Sequence, residues 1–137
     1  MQWHTWLIAC AACVMFGCNT TPVSDNAATL GVAFEWTEKS GCSNISPPIQ
    51  VANIPPEAKF LKFEMKDLDM TSFEHGGGEI PYRGQSTVGE GELSSYVGPC
   101  PFVGDVHDYR ITVYALTADK KLIIGHGKAV RKYPASN

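Results

Sequence analysis

Apolar positions recur every second residue wherever a pattern can be read, and no ten-residue stretch keeps an apolar stripe at helical spacing. Leu30, Val32, Phe34 and Trp36 alternate with Gly31, Ala33 and Glu35, while Leu61, Phe63 and Met65 alternate with Lys62, Glu64 and Lys66. Each set predicts a strand that buries one face. From Tyr109 to Leu116 both faces are largely apolar or β-branched, the pattern of a central strand covered on both sides. A last strand is predicted over Leu122–Val130, after the polar connection Thr117-Ala118-Asp119-Lys120-Lys121. Ser46-Pro47-Pro48, the triple glycine 76–78 and the stretch Gly84–Gly91 read as turns or loops, and Pro55-Pro56-Glu57-Ala58 as a single helical turn. The expected fold is mainly β: one antiparallel β-sandwich domain over residues 30–134, with a tail at 135–137 and at most one or two short helical turns.

The amino-terminal residues 1–17 contain no Lys, Arg, Asp or Glu, and Trp6 to Gly17 is apolar throughout. That run is shorter than the roughly 20 residues of a spanning helix and ends on a small residue, as a secretion signal does. Val14-Met15-Phe16-Gly17-Cys18 resembles the lipobox of bacterial lipoproteins, whose cysteine receives a diacylglycerol and becomes the first mature residue. Leu7-Ile8-Ala9-Cys10 matches that pattern better, but would leave an apolar segment far too short for export. The expectation is therefore lipid attachment at Cys18 and a location in the bacterial cell envelope. Residues 18–29, rich in Thr, Ser, Asn, Pro and Ala, would serve as a flexible tether. At about 0.8 kcal/mol per buried CH₂, two or three acyl chains would make attachment to the membrane lasting.

The formal charge of −3 and pI near 5.7, without any basic run, exclude nucleic acid as an expected partner. Cys42 and Cys100 are the two cysteines outside the signal and anchor. In an exported chain an even pair reads as a disulfide, worth roughly 2 to 4 kcal/mol for a loop of this length, with free buried thiols as the alternative.

Candidate chemistry gathers where two predicted strands end. The segment Tyr96-Val97-Gly98-Pro99-Cys100-Pro101-Phe102 is stiffened by its prolines and runs through Gly104 into a strand that opens with His107. Asp67 and Asp69 follow the Leu61–Met65 strand, and His75 comes soon after. If those strands are neighbours, Asp67, Asp69, His75, His107 and Tyr109 form a polar cluster walled by Pro99, Pro101 and Phe102. Such a cluster suits an anion, because imidazoles donate to phosphate or carboxylate while a neighbouring Asp orients the ring and favours its protonated form. At least one Asp is expected to bond a histidine or loop amides rather than touch the ligand. The plainer alternatives are that Asp67 and Asp69 cap a turn and that the loop is an ordinary tight connection. His126, between two glycines, reads as a solvated turn residue.

Two enzymatic readings are weaker. His75-Gly76-Gly77-Gly78 copies an oxyanion loop of lipases, but Gly84-Gln85-Ser86-Thr87-Val88 lacks the second glycine of a nucleophile elbow. A metal site from His75, His107 and one Asp lacks the short ligand spacing of known motifs.

Several segments together resemble the phosphatidylethanolamine-binding proteins in their bacterial branch. They are Asn44-Ile45-Ser46-Pro47-Pro48-Ile49, Asp67-Leu68-Asp69-Met70, His75, Tyr96 to Pro101, and Gly104 to Tyr109. Where the family's aspartate motif carries prolines, this chain has Leu68 and Met70-Thr71, and Gly76 to Gly78 follow the first histidine in place of the usual Trp. The resemblance implies a β-sandwich with a small anion pocket built from Asp67, His75, Gly98, Pro101, His107 and Tyr109. It implies a binding protein rather than an enzyme, without cofactor or metal, whose partner is a small anion or phospholipid headgroup held by two histidines and Gly/Pro loop amides. The alternative it carries is a protein-interaction module, like the kinase- and protease-inhibitory relatives, acting through surface loops.

Overall fold

Alternation of buried and solvent-facing residues builds two sheets that close on one core. The protein is described by a computed structural model covering residues 20–134; the expected signal, the lipid-attachment Cys18 and the tail lie outside the described residues. Nine strands follow in order: β1 (Val23–Thr29), β2 (Gly31–Phe34), β3 (Ile49–Ala52), β4 (Phe60–Asp67), β5 (Glu74–Pro81), β6 (Thr87–Val88), β7 (Ser95–Tyr96), β8 (His107–Leu116) and β9 (Ile123–Tyr133). The larger sheet has the order β1-β9-β8-β4-β5-β7 and the smaller β2-β3-β6. Pairing is antiparallel except between β1 and β9, and no helix occurs among the described residues. The domain is a mainly β sandwich, as the periodicity predicts.

The core is the inward face of each alternating strand. Leu61, Phe63 and Met65 of β4 and Tyr109, Ile111, Val113 and Ala115 of β8 pack against Phe34, Ile49, Val51 and Val88 of the small sheet. Burying each large side chain contributes about 1.5–3 kcal/mol. Asp67 continues the inward face of β4, and β4 and β8 pair along their whole length up to Asp67 against Tyr109. That register carries the last residue of one strand and the first of the next to the same end of the sheet.

Four expectations need correcting. Val23–Thr29, read as tether, is the edge strand β1, bonded to β9. Its sequence is polar because most of its side chains face water, so no apolar alternation marks it. The triple glycine is not a turn but the opening of β5, with Gly76 at φ 63° and Gly77 so close to β4 that a Cβ there would stand 1.9 Å from the Phe63 carbonyl oxygen. Glycine is required here by close approach between strands. β8 is central within its sheet, but Arg110, Thr112 and Tyr114 on its outer face are only half-buried, so a single layer covers it. His126 stands exposed within β9 rather than in a turn.

Candidate anion-binding site

The end of the large sheet where β4 stops, β5 starts and β8 starts holds a cavity of about 190 Å³. Its lining includes Asp67, His75, Gly98, Pro101, Phe102, His107 and Tyr109, all expected from the sequence, together with Met70, Phe73, Val97 and Cys100, whereas Pro99, expected as a wall, is not among the lining residues. The two histidines, 32 positions apart in the chain, therefore open onto one space.

Each imidazole is held by its Nδ1. His75, 4% exposed, donates from Nδ1 to the Val97 carbonyl oxygen at 2.8 Å. His107 Nδ1 donates to Asp67 Oδ2 at 2.6 Å. These bonds fix the ring orientation and leave Nε2 as the nitrogen available to a ligand in both rings. The ring of Tyr109 stands between them, 5.3 Å edge-on from His75 and 6.1 Å stacked with His107. Trp36 packs edge-on behind Tyr109 at 5.9 Å, and its Nε1 donates to the Lys132 carbonyl at 2.7 Å. Phe73 leans on His75 at 4.7 Å from the outer side.

Asp67 is the hub beneath these rings. Its Oδ1 accepts the amides of Asp69 at 2.8 Å and Met70 at 2.9 Å, and its Oδ2 accepts His107, so the carboxylate is spent on the protein. Desolvation is the largest single influence and pushes this carboxyl upward, but the bond from His107 and the two amide bonds together outweigh it and hold the group below its usual range. The same bond raises His107 above the ordinary imidazole value, reinforced by the charges of Asp67, Asp69 and Asp105. The Tyr109 hydroxyl is pushed well up, first by burial and then by the neighbouring Asp67 charge, and stays neutral. The turn-capping and site readings of Asp67 are thus one arrangement: the side chain that closes the turn after β4 also aims His107.

Asp69 does not line the cavity. It is exposed, and its Oδ2 accepts the Asp108 amide at 2.7 Å, tying the turn after β4 to the start of β8. The loop amides also behave differently from expectation. Val97 N donates to the His75 carbonyl and Gly98 N to the Ser43 carbonyl, while Pro99 and Pro101 have no N–H, so these positions offer a ligand no free donor. Gly98 instead lets the chain pass close to its neighbours, since a Cβ there would meet Ser40 O at 2.3 Å and Ser43 O at 2.7 Å. Cys42 and Cys100 form a disulfide that fastens the 40–43 segment to the cavity wall, next to a bond from Cys42 N to the Pro99 carbonyl at 2.8 Å. Among the described residues no group of three or more His, Cys, Asp or Glu is arranged to hold a metal ion.

Sequence reasoning missed Met70, Phe73 and Val97 as lining residues. Phe73 had a faint signal, an aromatic side chain in the polar run between Asp69 and His75.

With this geometry in place, the likenesses to known proteins carry weight. A family model described as phosphatidylethanolamine-binding protein matches residues 71–136, the part that supplies both histidines and the Gly/Pro loop. Among solved structures, a Chlamydia trachomatis protein described as a phosphatidylethanolamine-binding protein homologue is similar at TM-score 0.55 and 22% identity, over 82% of this chain and 100% of its own. Escherichia coli YbcL, described as a new member of the mammalian family, is similar at TM-score 0.57 and 17% identity, over 82% of this chain and 96% of its own. No curated protein matches the chain. The family model and these neighbours agree on one class: the chain has the phosphatidylethanolamine-binding protein fold.

Proposed function

We propose that the chain is a bacterial member of this family that binds a small anion or phospholipid headgroup without transforming it, anchored to the cell envelope by a lipid on Cys18. The observation that carries the binding role is the pair of imidazoles with their Nδ1 atoms occupied and their Nε2 atoms left for one shared cavity. Asp67 favours the protonated form of His107, and in that form the ring supplies an Nε2–H donor and offsets the buried carboxylate. His75 Nε2 accepts from a protonated phosphate oxygen when the ring is neutral and donates to a bare one when it is charged. The site thereby fits a tetrahedral oxyanion, and the apolar walls from Met70, Phe73, Pro101 and Phe102 exclude water that would compete for it.

Isothermal titration of the protein with inorganic phosphate and with glycerophosphoethanolamine tests the reading. Binding of at least one should vanish in His107→Ala and weaken sharply in His75→Ala. Heat that is unchanged in both variants would place the ligand elsewhere.

A further inference from the structure

Both cysteines of the Cys42–Cys100 bond are exposed, and Cys100 is part of the cavity wall. The bond joins two segments that belong to neither sheet. One is the connection 35–48 between β2 and β3, the other the connection 97–106 between β7 and β8 that carries Gly98, Pro101 and Phe102. Beside the bond run two backbone contacts, from Cys42 N to the Pro99 carbonyl at 2.8 Å and from Gly98 N to the Ser43 carbonyl at 2.7 Å. Cys42 stands at φ 50°, a left-handed conformation that is costly for residues other than Gly, Asn and Asp. Disulfides that are exposed or strained are the labile ones, which exchange with thiols.

A short chain of contacts leads from this bond to one of the two imidazoles. His75 Nδ1 donates to the carbonyl of Val97, three positions before Cys100, so the orientation of that ring depends on where the loop is held. His107 is held instead by Asp67 at the end of β4. The register of β4, β8 and β9 involves neither loop, so the sheet that carries Asp67 and His107 outlasts the bond. Opening the disulfide therefore frees His75 and leaves His107 in place.

We propose that Cys42–Cys100 is a reaction site for a dithiol reductant, and that its reversible opening releases the cavity wall with His75 and lowers the affinity of the cavity for its anion. A thiolate of the reductant attacks one sulfur to form a mixed disulfide, and the other cysteine leaves as a thiolate. The reductant's second thiolate then displaces the first cysteine. Two electrons and two protons pass to Cys42 and Cys100, and the reductant ends as its own disulfide. The effect on affinity rests on the anion-binding reading, whereas the reactivity of the bond and the release of His75 do not.

The test is treatment of the folded protein with dithiothreitol, with free thiols counted by alkylation and mass spectrometry and the same sample followed by NMR. Both cysteines should become alkylated while the amide signals of β4 and β8 stay native. Signals of residues 40–43 and 97–102 and of the His75 ring should shift, those of the His107 ring should not, and all should return on reoxidation. Phosphate affinity should fall about tenfold in the reduced form, because the wall is no longer preorganised. A bond that resists the reagent until β4 and β8 unfold overturns the proposal. So does a reduced protein with an unmoved His75 ring, or a measurable phosphate affinity that is equal in the two forms. Release of His75 on reduction in a protein that binds phosphate in neither form upholds the reactive site and removes the anion-binding reading.

Discussion

The two ends of the large sheet are built from the same strands and yet differ in kind. At one end, where β4 finishes and β8 begins, a cavity of about 190 Å³ is floored by Asp67 and His75, both nearly inaccessible, and by His107 beside them. At the other, where β8 finishes and β1 and β9 begin, a wider depression of about 450 Å³ is lined by Thr20, Thr21, Val23, Lys62, Glu64, Tyr114, Leu116 and Ile123. Its charges are an exposed Lys62–Glu64 pair at 2.8 Å, of the sort worth little in water. Room alone does not make a receptor. The smaller space is the better candidate because its two imidazoles are fixed at Nδ1, by Asp67 and by the Val97 carbonyl, and each is left with Nε2 for a ligand.

Among the residues that line the cavity, the largest effect on stability is expected at Gly98. Gly98→Ala must displace the backbone of Ser40 or Ser43 and should cost about 3 kcal/mol in urea unfolding, with loss of anion binding as the wall moves. A variant with unaltered stability would mean that the wall is looser than its contacts indicate.

Asp67→Asn should cost about 2 kcal/mol, since it weakens the bond to His107 and the acceptor shared by two amides. It should also return the His107 titration, followed by ring NMR, toward an ordinary imidazole. The pH profile follows from the two shifts. His107 is raised in the folded protein, so its contribution is complete below the unfolded imidazole value and is lost as pH rises through the folded one. Asp67 is lowered, so its contribution is complete above the unfolded carboxyl value and is lost as pH falls through the folded one. Thermal stability measured against pH should thus be broadest in the mildly acidic range, and anion affinity should fall as His107 deprotonates. Affinity that is flat across that range would contradict a charged His107 in the site.

The smallest effect belongs to the opposite end. Tyr114→Phe removes only a long 3.4 Å contact to Glu64 and should change stability by less than about 0.5 kcal/mol, with ligand binding unmoved. A matching loss of binding there would erase the distinction between the two ends.

Legibility in the sequence followed the same physics. β4 could be read because it buries one face, and β8 because its run is apolar and β-branched, though that run reads as covered on both sides; together they carried Asp67, His107 and Tyr109 to the site. The Cys42–Cys100 bond followed from an even pair in a chain read as exported. β1 was illegible because an edge strand with mostly wet side chains has no apolar period, and β5 because Gly76–Gly78 resemble a turn until the crowding of β4 is known. Asp69 looked equivalent to Asp67, two positions away on the same side of an extended chain. The strand ends between them, and the turn sends Asp69 outward to the Asp108 amide.

The most direct test is a crystal structure of the protein grown with phosphate. A tetrahedral ion is expected in the cavity within about 3.2 Å of Nε2 of both His75 and His107, with Asp67 still bonded to His107 Nδ1. Phosphate bound elsewhere while both imidazoles stay bare, or reached by only one of them, would contradict it.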